Sequence, residues 1–296
     1  MNFIEYHEFI SKALPLLKLE TKYIGTNPDL QYDASGLINL RRGISQIEDI
    51  PYIESDIAIL KRSWLYQSSS DVQKISSTET FIAETIKKLH IKLSTFKEIA
   101  EKSGIFNNAE SIIIRIPEIK SFDNLQKYAN DFKKAIEIPI TDKSIDGKVS
   151  ILGADEGSII FYISVGTIAA VKLIAGICWS AGVIRKKKAE AKIFEEHAKT
   201  LELKNDALST FVEAQKIQLK NILDSEANAI ANKAYSHNEP ETIERLKLSI
   251  STVAELIDKG VQILPISKDA EIQKSFPNYK NLNLIESSIK QIMSDN

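Results

Sequence analysis

The sequence is poor in the residues that support disulfides, metal sites or redox chemistry. It contains one cysteine, Cys178, and four histidines that lie far apart, at positions 7, 90, 197 and 237. A single cysteine excludes a disulfide within the chain, which is typical of proteins from a reducing compartment. The scattered histidines have none of the spacings of a zinc site. We therefore predict a cytoplasmic protein without a metal or other cofactor.

Motifs of catalysis are also missing. Residues 153–158, GADEGS, superficially resemble a phosphate loop but lack the lysine that would contact the phosphates. There is no Gly-x-Ser-x-Gly motif of the kind that holds a nucleophilic serine. We predict no catalytic residue and expect Cys178 to be a buried apolar side chain. An enzyme with a site around Asp155 and Glu156 is a lesser alternative.

The charge balance argues against a protein whose main task is to coat nucleic acid. The chain carries 38 basic and 40 acidic residues, so its formal net charge is −2. The N-terminus has no basic region followed by an apolar core, and we expect no signal peptide. With 43% hydrophobic and 26% charged residues in 296, the composition is that of an ordinary globular protein with a sizeable core.

One stretch, residues 159–184, is far more apolar than the rest of the chain. It contains one charge, Lys172, and a basic cluster follows it directly: Arg185, Lys186, Lys187 and Lys188. Two interpretations compete. The stretch spans a bilayer, because long apolar runs with basic flanks mark membrane segments. Alternatively, it comprises a β-strand followed by a helix that is buried or lies in an interface.

The residues before this stretch favour the second interpretation. Residues 148–153 and 159–165 are typical of strands, and residues 154–158 contain the Asp and Gly of a hairpin turn. A helix from Thr167 then contains about seven strongly apolar side chains, which contribute about −3 kcal/mol to membrane insertion. A lysine at its centre costs about +2.5 to +3.5 kcal/mol, so insertion gains nothing. Insertion or surface binding of residues 159–184 remains the alternative.

Apolar periodicity predicts several further elements. Residues 25–46 hold turn residues and are predicted to form a loop. Ser76 and Glu79 form a capping box before a helix that ends at Gly104. A strand is predicted at 111–116, a helix after Ser121, and a strand at 261–266. A short amphipathic helix is predicted from Leu282 to Met293.

The longest predicted element is a helix of about 50 residues, or about 75 Å, that continues the apolar helix and is either continuous or broken once. No Gly or Pro occurs from Val183 to His237. An imperfect heptad repeat, typical of a coiled coil, follows the basic cluster. Its positions are Phe194, Leu201, Leu208, Gln215 and Ile222. Pro240 begins a return helix that ends at Gly260 and folds back as an antiparallel hairpin.

These elements predict an α+β fold that is predominantly α-helical, with a small sheet that includes a β-hairpin, followed by a long helical hairpin. We divide the chain into four regions. These are an N-terminal helical region (1–105), a small α/β unit ending in the β-hairpin (106–165), the apolar helix with its heptad continuation and antiparallel return (166–260), and a C-terminal tail with a short helix (261–296).

The surplus of apolar surface and the missing chemical site lead to a functional hypothesis. We predict a non-enzymatic assembly or adaptor protein that binds copies of itself or another protein. The predicted interaction residues are Ile168, Val171, Lys172, Ile174, Ile177, Trp179, Phe194, Leu201 and Leu208. The alternative is an effector of a bacterial conflict or phage-related system that docks on or inserts into a membrane. The basic cluster Arg185–Lys188 flanks a membrane segment, contacts an anionic partner, or marks where a buried helix emerges into water.

Overall fold

A computed structural model describes residues 3–25, 32–76, 79, 81–102, 109–117, 119–155, 159–200, 205–236 and 239–287. For residues 155, 198–200 and 205–209 it describes the backbone alone. The chain divides into two compact units, residues 1–106 (unit 1) and 107–296 (unit 2).

Unit 1 combines α-helices with a three-stranded antiparallel sheet in the order β1-β2-β3. Its elements are α1 (Phe3–Ala13), β1 (Glu20–Tyr23), β2 (Tyr32–Ser35), α2 (Leu37–Ile47), α3 (Glu54–Arg62), β3 (Gln73–Ile75) and α4 (Phe81–Lys102). Aliphatic side chains from all four helices form one core, among them Ile10, Leu40, Ile44, Ile57, Leu60, Ile86 and Leu89.

The loop predicted for residues 25–46 is wrong over most of its length, because this segment contains β2 and α2. Two residues of this segment contact other parts of unit 1. Gly43 lies inside α2, where a Cβ atom would stand 2.9 Å from Cβ of Leu16. Arg41 donates hydrogen bonds to the carbonyl oxygens of Leu65 and Ser68, both at 2.8 Å, and to that of Ser70. The glycine therefore permits close packing, and the arginine holds a neighbouring loop.

The start of α4 agrees with the predicted capping box. The backbone N–H of Ser76 donates to Oε2 of Glu79 at 2.9 Å, which is the reciprocal bond of that motif. The helix buries an apolar face that includes Ile82, Ile86, Leu89 and Leu93. Gly104, predicted to end the helix, lies outside the described residues.

Unit 2 contains a four-stranded antiparallel sheet in the order β5-β6-β4-β7 and a larger set of helices. Its elements are β4 (Ser111–Ile116), α5 (Phe122–Phe132), α6 (Ile138–Ile140), β5 (Ser150–Asp155), β6 (Ile159–Ser164), α7 (Ile168–Thr200), α8 (Asn205–Ala234), α9 (Pro240–Asp258), β7 (Gln262–Pro265) and α10 (Ala270–Ser275). A π-helical segment, Lys133–Glu137, joins α5 to α6. Alternate residues of β4 (Ile112, Ile114 and Ile116) share a core with α7 and α9.

The β-hairpin and the helix that follows it lie where the sequence predicted them. β5 and β6 pair antiparallel, and α7 begins at Ile168. The hydroxyl of Thr167 accepts a hydrogen bond from the backbone N–H of Ala170 at 3.0 Å, so Thr167 caps the helix. Residues 156–158 of the predicted turn lie outside the described residues. The segment from 159 to 184 therefore comprises a strand and a helix.

The continuous 50-residue helix is wrong, because α7 and α8 run antiparallel to each other. Ser180 lies against Glu226, and the rings of Phe194 and Phe211 meet edge-on with their centroids 6.5 Å apart. Among the apolar seam positions with described side chains, Phe194 meets α8 at Phe211, and Ile222 packs against the unit 2 core. α9 packs against both. The fold class is confirmed as a predominantly α-helical α+β fold with a long helical hairpin, formed by α7 and α8.

A buried hydrogen bond joins α9 to the irregular end of α5. Pro139 provides no N–H to the carbonyl of Ala135 four residues earlier, which an α-helix would satisfy. The Ser249 hydroxyl of α9 donates to that carbonyl at 2.5 Å. The side chain of α9 therefore replaces the missing backbone donor.

The C-terminal segment packs on α7 through a glycine. A Cβ atom at Gly182 would lie 2.8 Å from Cδ1 of Ile285 and 3.3 Å from Cδ2 of Leu282. Only a residue without a side chain lets the two segments approach so closely. In place of the helix predicted for Leu282–Met293, the described part contains the 3₁₀ turn Leu282–Leu284. Residues 288–296 lie outside the described residues.

The outer strands of the four-stranded sheet have irregular edges. β5 carries a β-bulge, where the pairing with β6 shifts between Ile151 and Gly153. β7 ends in Pro265, which has no N–H. The Tyr279 hydroxyl accepts from the backbone N–H of Ile263 at 3.1 Å and donates to its carbonyl at 3.0 Å.

Candidate functional site

The first half of α7 is the centre of the unit 2 core. Val171, Ile174 and Ile177 are each at most 1% exposed and belong to one apolar cluster with β4 and α9. We predicted these three residues as an interaction surface. The structure corrects this assignment, because their apolar surface is already covered by the chain itself.

The other predicted interaction residues in the first half of α7 differ in exposure. Ile168 is 45% exposed, and Lys172 is also exposed, which removes the cost of burying its charge. Trp179 is half-buried, and its Nε1 donates to the backbone carbonyl of Glu286 at 2.8 Å. Trp179 therefore anchors the C-terminal segment.

The described residues include one helix that is long and apolar enough to cross a membrane. It is the segment Ile168–His197, with a mean hydropathy of 1.6 over its most apolar window. In this structure 67% of that window is buried within the protein. The core helix of a soluble protein meets the same criteria of length and composition, so these criteria do not separate the two interpretations.

Beyond Ile184 the described side chains of the helical hairpin are more exposed, although Ile222 and Leu223 still pack against the unit 2 core. We call residues 185–200 of α7 and 205–225 of α8 the arm. Among the arm residues with described side chains, 185–197 and 210–225, none is buried. The next residue of α8, Glu226, is fully buried. Residues 185–197 extend for about 20 Å at 1.5 Å per residue, so the arm is a two-helix extension of the core.

The arm exposes large apolar side chains. The exposed fractions are 55% for Ile193, 58% for Phe194, 38% for Phe211 and 56% for Ile217. Phe194 was predicted from the heptad pattern, whereas Ile193, Phe211 and Ile217 were not. The sequence indicates Ile193 and Ile217 only as apolar residues that lie outside the seam positions. Leu201 lies outside the described residues, and for Leu208 only the helical backbone is described.

The basic cluster lies where α7 leaves the core and joins the arm. Arg185 Nε is 2.7 Å from Oδ1 of Asp258 at the end of α9. Lys186 donates to the carbonyl of Ile285 at 3.0 Å, and Lys187 pairs with Glu190 at 2.6 Å. Lys188 is exposed. Three of the four cations thus have partners within unit 2, and Lys188 lies on the arm surface.

A buried carboxylate lies where the arm meets the core of unit 2. Glu226 of α8 accepts a hydrogen bond from the Ser180 hydroxyl of α7 and another from the Ser287 hydroxyl of the C-terminal segment, each at 2.5 Å. It borders a cleft of about 340 Å³ that Lys186 and Lys187 also line. Because both carboxylate oxygens bind hydroxyls, Glu226 links three segments of the fold. No pattern in the sequence predicted this residue.

Cys178 has the environment of a structural cysteine. It is fully buried in α7, and burial raises the pKa of its thiol to about 12, although a hydrogen bond with Tyr279 opposes this shift. The prediction of a buried apolar side chain is confirmed. Across the described ranges, no group of three or more His, Cys, Asp or Glu residues is arranged to hold a metal ion.

Comparison with known proteins adds one relative. No protein-family model matches the chain, and no solved structure is significantly similar to it. The chain is similar to the uncharacterized protein YqaP of Bacillus subtilis (strain 168), with 28% identity over 260 residues. The similarity covers 83% of this chain and 84% of the relative. The 260 matched residues exceed the length of either unit, so the similarity includes parts of both units.

Proposed function

We propose that the protein is a non-enzymatic assembly or adaptor protein that binds its partner through the arm of its helical hairpin. The observation that supports this proposal is the exposure of Ile193, Phe194 and Ile217 on a part of the fold in which no described side chain is fully buried. Burying a side chain of this size contributes about 1.5–3 kcal/mol. A partner that covers the arm would recover this free energy.

The stability of the arm points in the same direction. In proteins most helical stability comes from packing an amphipathic face. Around Ile193 the two helices of the arm meet through the rings of Phe194 and Phe211, whereas Ile222 and Leu223 pack against the unit 2 core. Helix contacts on a second face, supplied by a partner, would complete the packing that α9 provides for the rest of the hairpin.

Membrane docking is the rival proposal, and the length and apolarity of Ile168–His197 support it. It requires α7 to leave the core of unit 2 or to bind lipid through the arm alone. The first route exposes the sheet and α9. The second relies on the cations of the arm. Three of them have partners in the fold, and four are exposed: Lys188, Lys192, Lys216 and Lys220. A protein partner that binds the arm leaves α7 in the core of unit 2.

Site-specific photocrosslinking in cells that make the protein tests the proposal. A photoreactive amino acid replaces Ile193, and in a matched control it replaces Ile91 of α4, which is 57% exposed against 55% for Ile193. We expect a discrete protein adduct from position 193 and none from position 91. No adduct at 193, or the same adducts from both positions, would overturn the proposal.

A further inference from the structure

The three-stranded sheet of unit 1 has an open edge at β1, in contrast to the irregular edges of the sheet in unit 2. β1 pairs with β2 on one side, and among the described strands none pairs with its other side. The pairing with β2 is regular over all four residues, Glu20–Tyr23, and all four are exposed. The free N–H and C=O groups of such an edge are a template for a further strand.

The side of β1 that points towards the core is uncovered. Thr21 lies opposite Ala34, and Tyr23 lies opposite Tyr32. Ala34 is fully buried in the unit 1 core, and Tyr32 packs against this core. Directly opposite residues share a face of a sheet, so Thr21 and Tyr23 are on the core face. Tyr23 is nevertheless 56% exposed, although its ring meets that of Tyr32 edge-on with the centroids 5.6 Å apart. The core face of the sheet therefore extends beyond the part that the chain itself covers.

The opposite face of β1 carries one charge of each sign. Glu20 and Lys22 are two residues apart, so both are on the face that points away from the core. Both are exposed, and Lys22 lies opposite Asp33 of β2. A lysine on an edge strand deters most incoming strands. A strand that carries an acidic residue opposite Lys22 is the exception, because unlike charges opposite each other stabilise the pairing.

A second copy of β1 supplies that acidic residue in one register. In a two-fold dimer, residue i of one copy contacts residue j of the other, and j contacts i. Centring an antiparallel pair on Glu20 or on Lys22 places like charges opposite each other. Centring it on Tyr23 pairs neither charge with another. Centring it on Thr21 places Glu20 of each copy opposite Lys22 of the other. The charges of β1 are therefore self-complementary in this register.

We propose that a second copy of the chain pairs with β1 as an antiparallel strand, centred on Thr21. The two sheets then form one sheet of six strands in the order β3-β2-β1-β1-β2-β3. Glu20 of each copy pairs with Lys22 of the other on the outer face. On the core face Tyr23 meets Leu19 of the other copy, a residue that packs against the unit 1 core. This surface belongs to unit 1 and not to the arm, so the inference goes beyond the proposed function and does not depend on it.

A single engineered cysteine tests the register. Directly opposite residues of antiparallel strands have Cα atoms about 4.5–5.5 Å apart, which lies within the range of a disulfide. Thr21→Cys should therefore crosslink two copies under mild oxidation, whereas the buried Cys178 of the wild type should not. Lys74→Cys, at an exposed position of the other edge strand β3, is the matched control and should stay uncrosslinked. Equal crosslinking of the two variants, or none at position 21, would overturn the inference.

Charge reversal tests the contact between Glu20 and Lys22. Glu20→Lys and Lys22→Glu are both made in an Asp33→Asn background, because an acid at position 22 would otherwise lie opposite Asp33. In sedimentation equilibrium the background chain should approach twice the chain mass of 33.2 kDa as its concentration rises. Either reversal alone places like charges at both contacts and should raise the dissociation constant about tenfold. An equimolar mixture makes both contacts attractive and should restore the affinity of the background.

The possible outcomes separate this inference from the proposed function. A wild type that is monomeric at every concentration contradicts the inference, as does a mixture of folded variants that associates no more tightly than either alone. If circular dichroism shows that a reversal unfolds the chain, the crosslink at position 21 decides. A dimer that survives both reversals but is lost in Ile193→Glu is formed by the arm, which removes the inference and leaves the proposed function standing. Crosslinking at position 21 without any adduct at position 193 has the opposite meaning.

Discussion

The hydroxyl of Ser180 donates a hydrogen bond of 2.5 Å to the buried carboxylate of Glu226 and thereby joins the two helices of the hairpin. Hydrogen bonds to a charged group contribute about 1.5–3 kcal/mol. We expect Ser180→Ala to lower the free energy of unfolding of unit 2 by this amount. Urea unfolding followed by reactivity of Cys178, the sole thiol and a residue of unit 2, measures the change.

The matched control for that substitution is Ser225→Ala, which removes an exposed hydroxyl from the neighbouring position of α8. Exposed substitutions of this kind change stability by no more than about 0.5 kcal/mol. Equal effects of the two variants would mean that the bond between Ser180 and Glu226 contributes nothing specific.

Ser249 should be just as sensitive, because it satisfies a backbone carbonyl that Pro139 leaves without an N–H donor. Ser249→Ala removes the donor and leaves the buried carbonyl of Ala135 unpaired, at a cost of about 1–3 kcal/mol. Ser251→Ala, at a partly exposed position of the same helix, is the control. The idea fails if thermal or urea unfolding does not distinguish the two.

The pKa of Cys178 predicts both its reactivity and a pH dependence. With a pKa of about 12 the native thiol is about one ten-thousandth thiolate at pH 8, and burial blocks access as well. A disulfide reagent should modify Cys178 only as fast as unit 2 opens. Fast modification of the native protein, at the rate of a free thiol, would contradict the burial.

The sign of the pH effect follows from the direction of that shift. The thiol holds its proton more tightly in the folded chain than at its ordinary pKa of 9.0. Its contribution to stability is therefore complete below pH 9 and is lost as pH rises from 9 through about 12. The urea midpoint of unit 2 should fall more steeply over this range in the wild type than in Cys178→Ala.

Replacing a large side chain by alanine should have different effects in the core and in the arm. Ile174→Ala removes a fully packed side chain of α7 and should destabilise unit 2 by about 2–5 kcal/mol. Phe194→Ala removes a side chain that is 58% exposed and should cost less than about 1 kcal/mol, while weakening association of the arm. Sedimentation and urea unfolding of both variants separate the two effects. A large loss of stability in Phe194→Ala would place the arm within the folded core.

In unit 1, α3 and α4 are joined by an ion pair between Asp56 and Lys92, with 2.5 Å between Oδ2 and Nζ. Asp56 is 4% exposed, so Lys92→Ala leaves a buried carboxylate without its cation. We expect a loss of about 1.5–3 kcal/mol, against little change for Lys88→Ala at an exposed position of α4. Circular dichroism during unfolding detects the difference, and similar values for both variants would argue against it.

Local signals in the sequence were sufficient for the elements that have clear ends. Three signals each correspond to a described boundary: the capping pair Ser76 and Glu79, the strand-forming residues on either side of 154–158, and Pro240 with Gly260. Each of these signals depends on residues close in the chain, so tertiary structure had little opportunity to override it.

Tertiary packing decided the elements that the sequence did not reveal. Gly43 looked like a loop residue because its packing partner, Leu16, is distant in the chain. The reversal between α7 and α8 has no Gly or Pro to mark it. Heptad spacing indicated which residues lie in a seam but not which helix covers them. For the same reason Val171, Ile174 and Ile177 were assigned to a partner when their own chain covers them.

The irregular edges of the four-stranded sheet determine whether a further strand can pair with it. An open strand edge recruits further strands and leads to sheet-to-sheet aggregation. Three features interrupt the register that an incoming strand would need. They are the bulge in β5, Pro265 at the end of β7, and the Tyr279 hydroxyl, which occupies the backbone N–H and carbonyl of Ile263. Growth through this sheet is therefore disfavoured at both ends, which protects unit 2 against edge-to-edge aggregation.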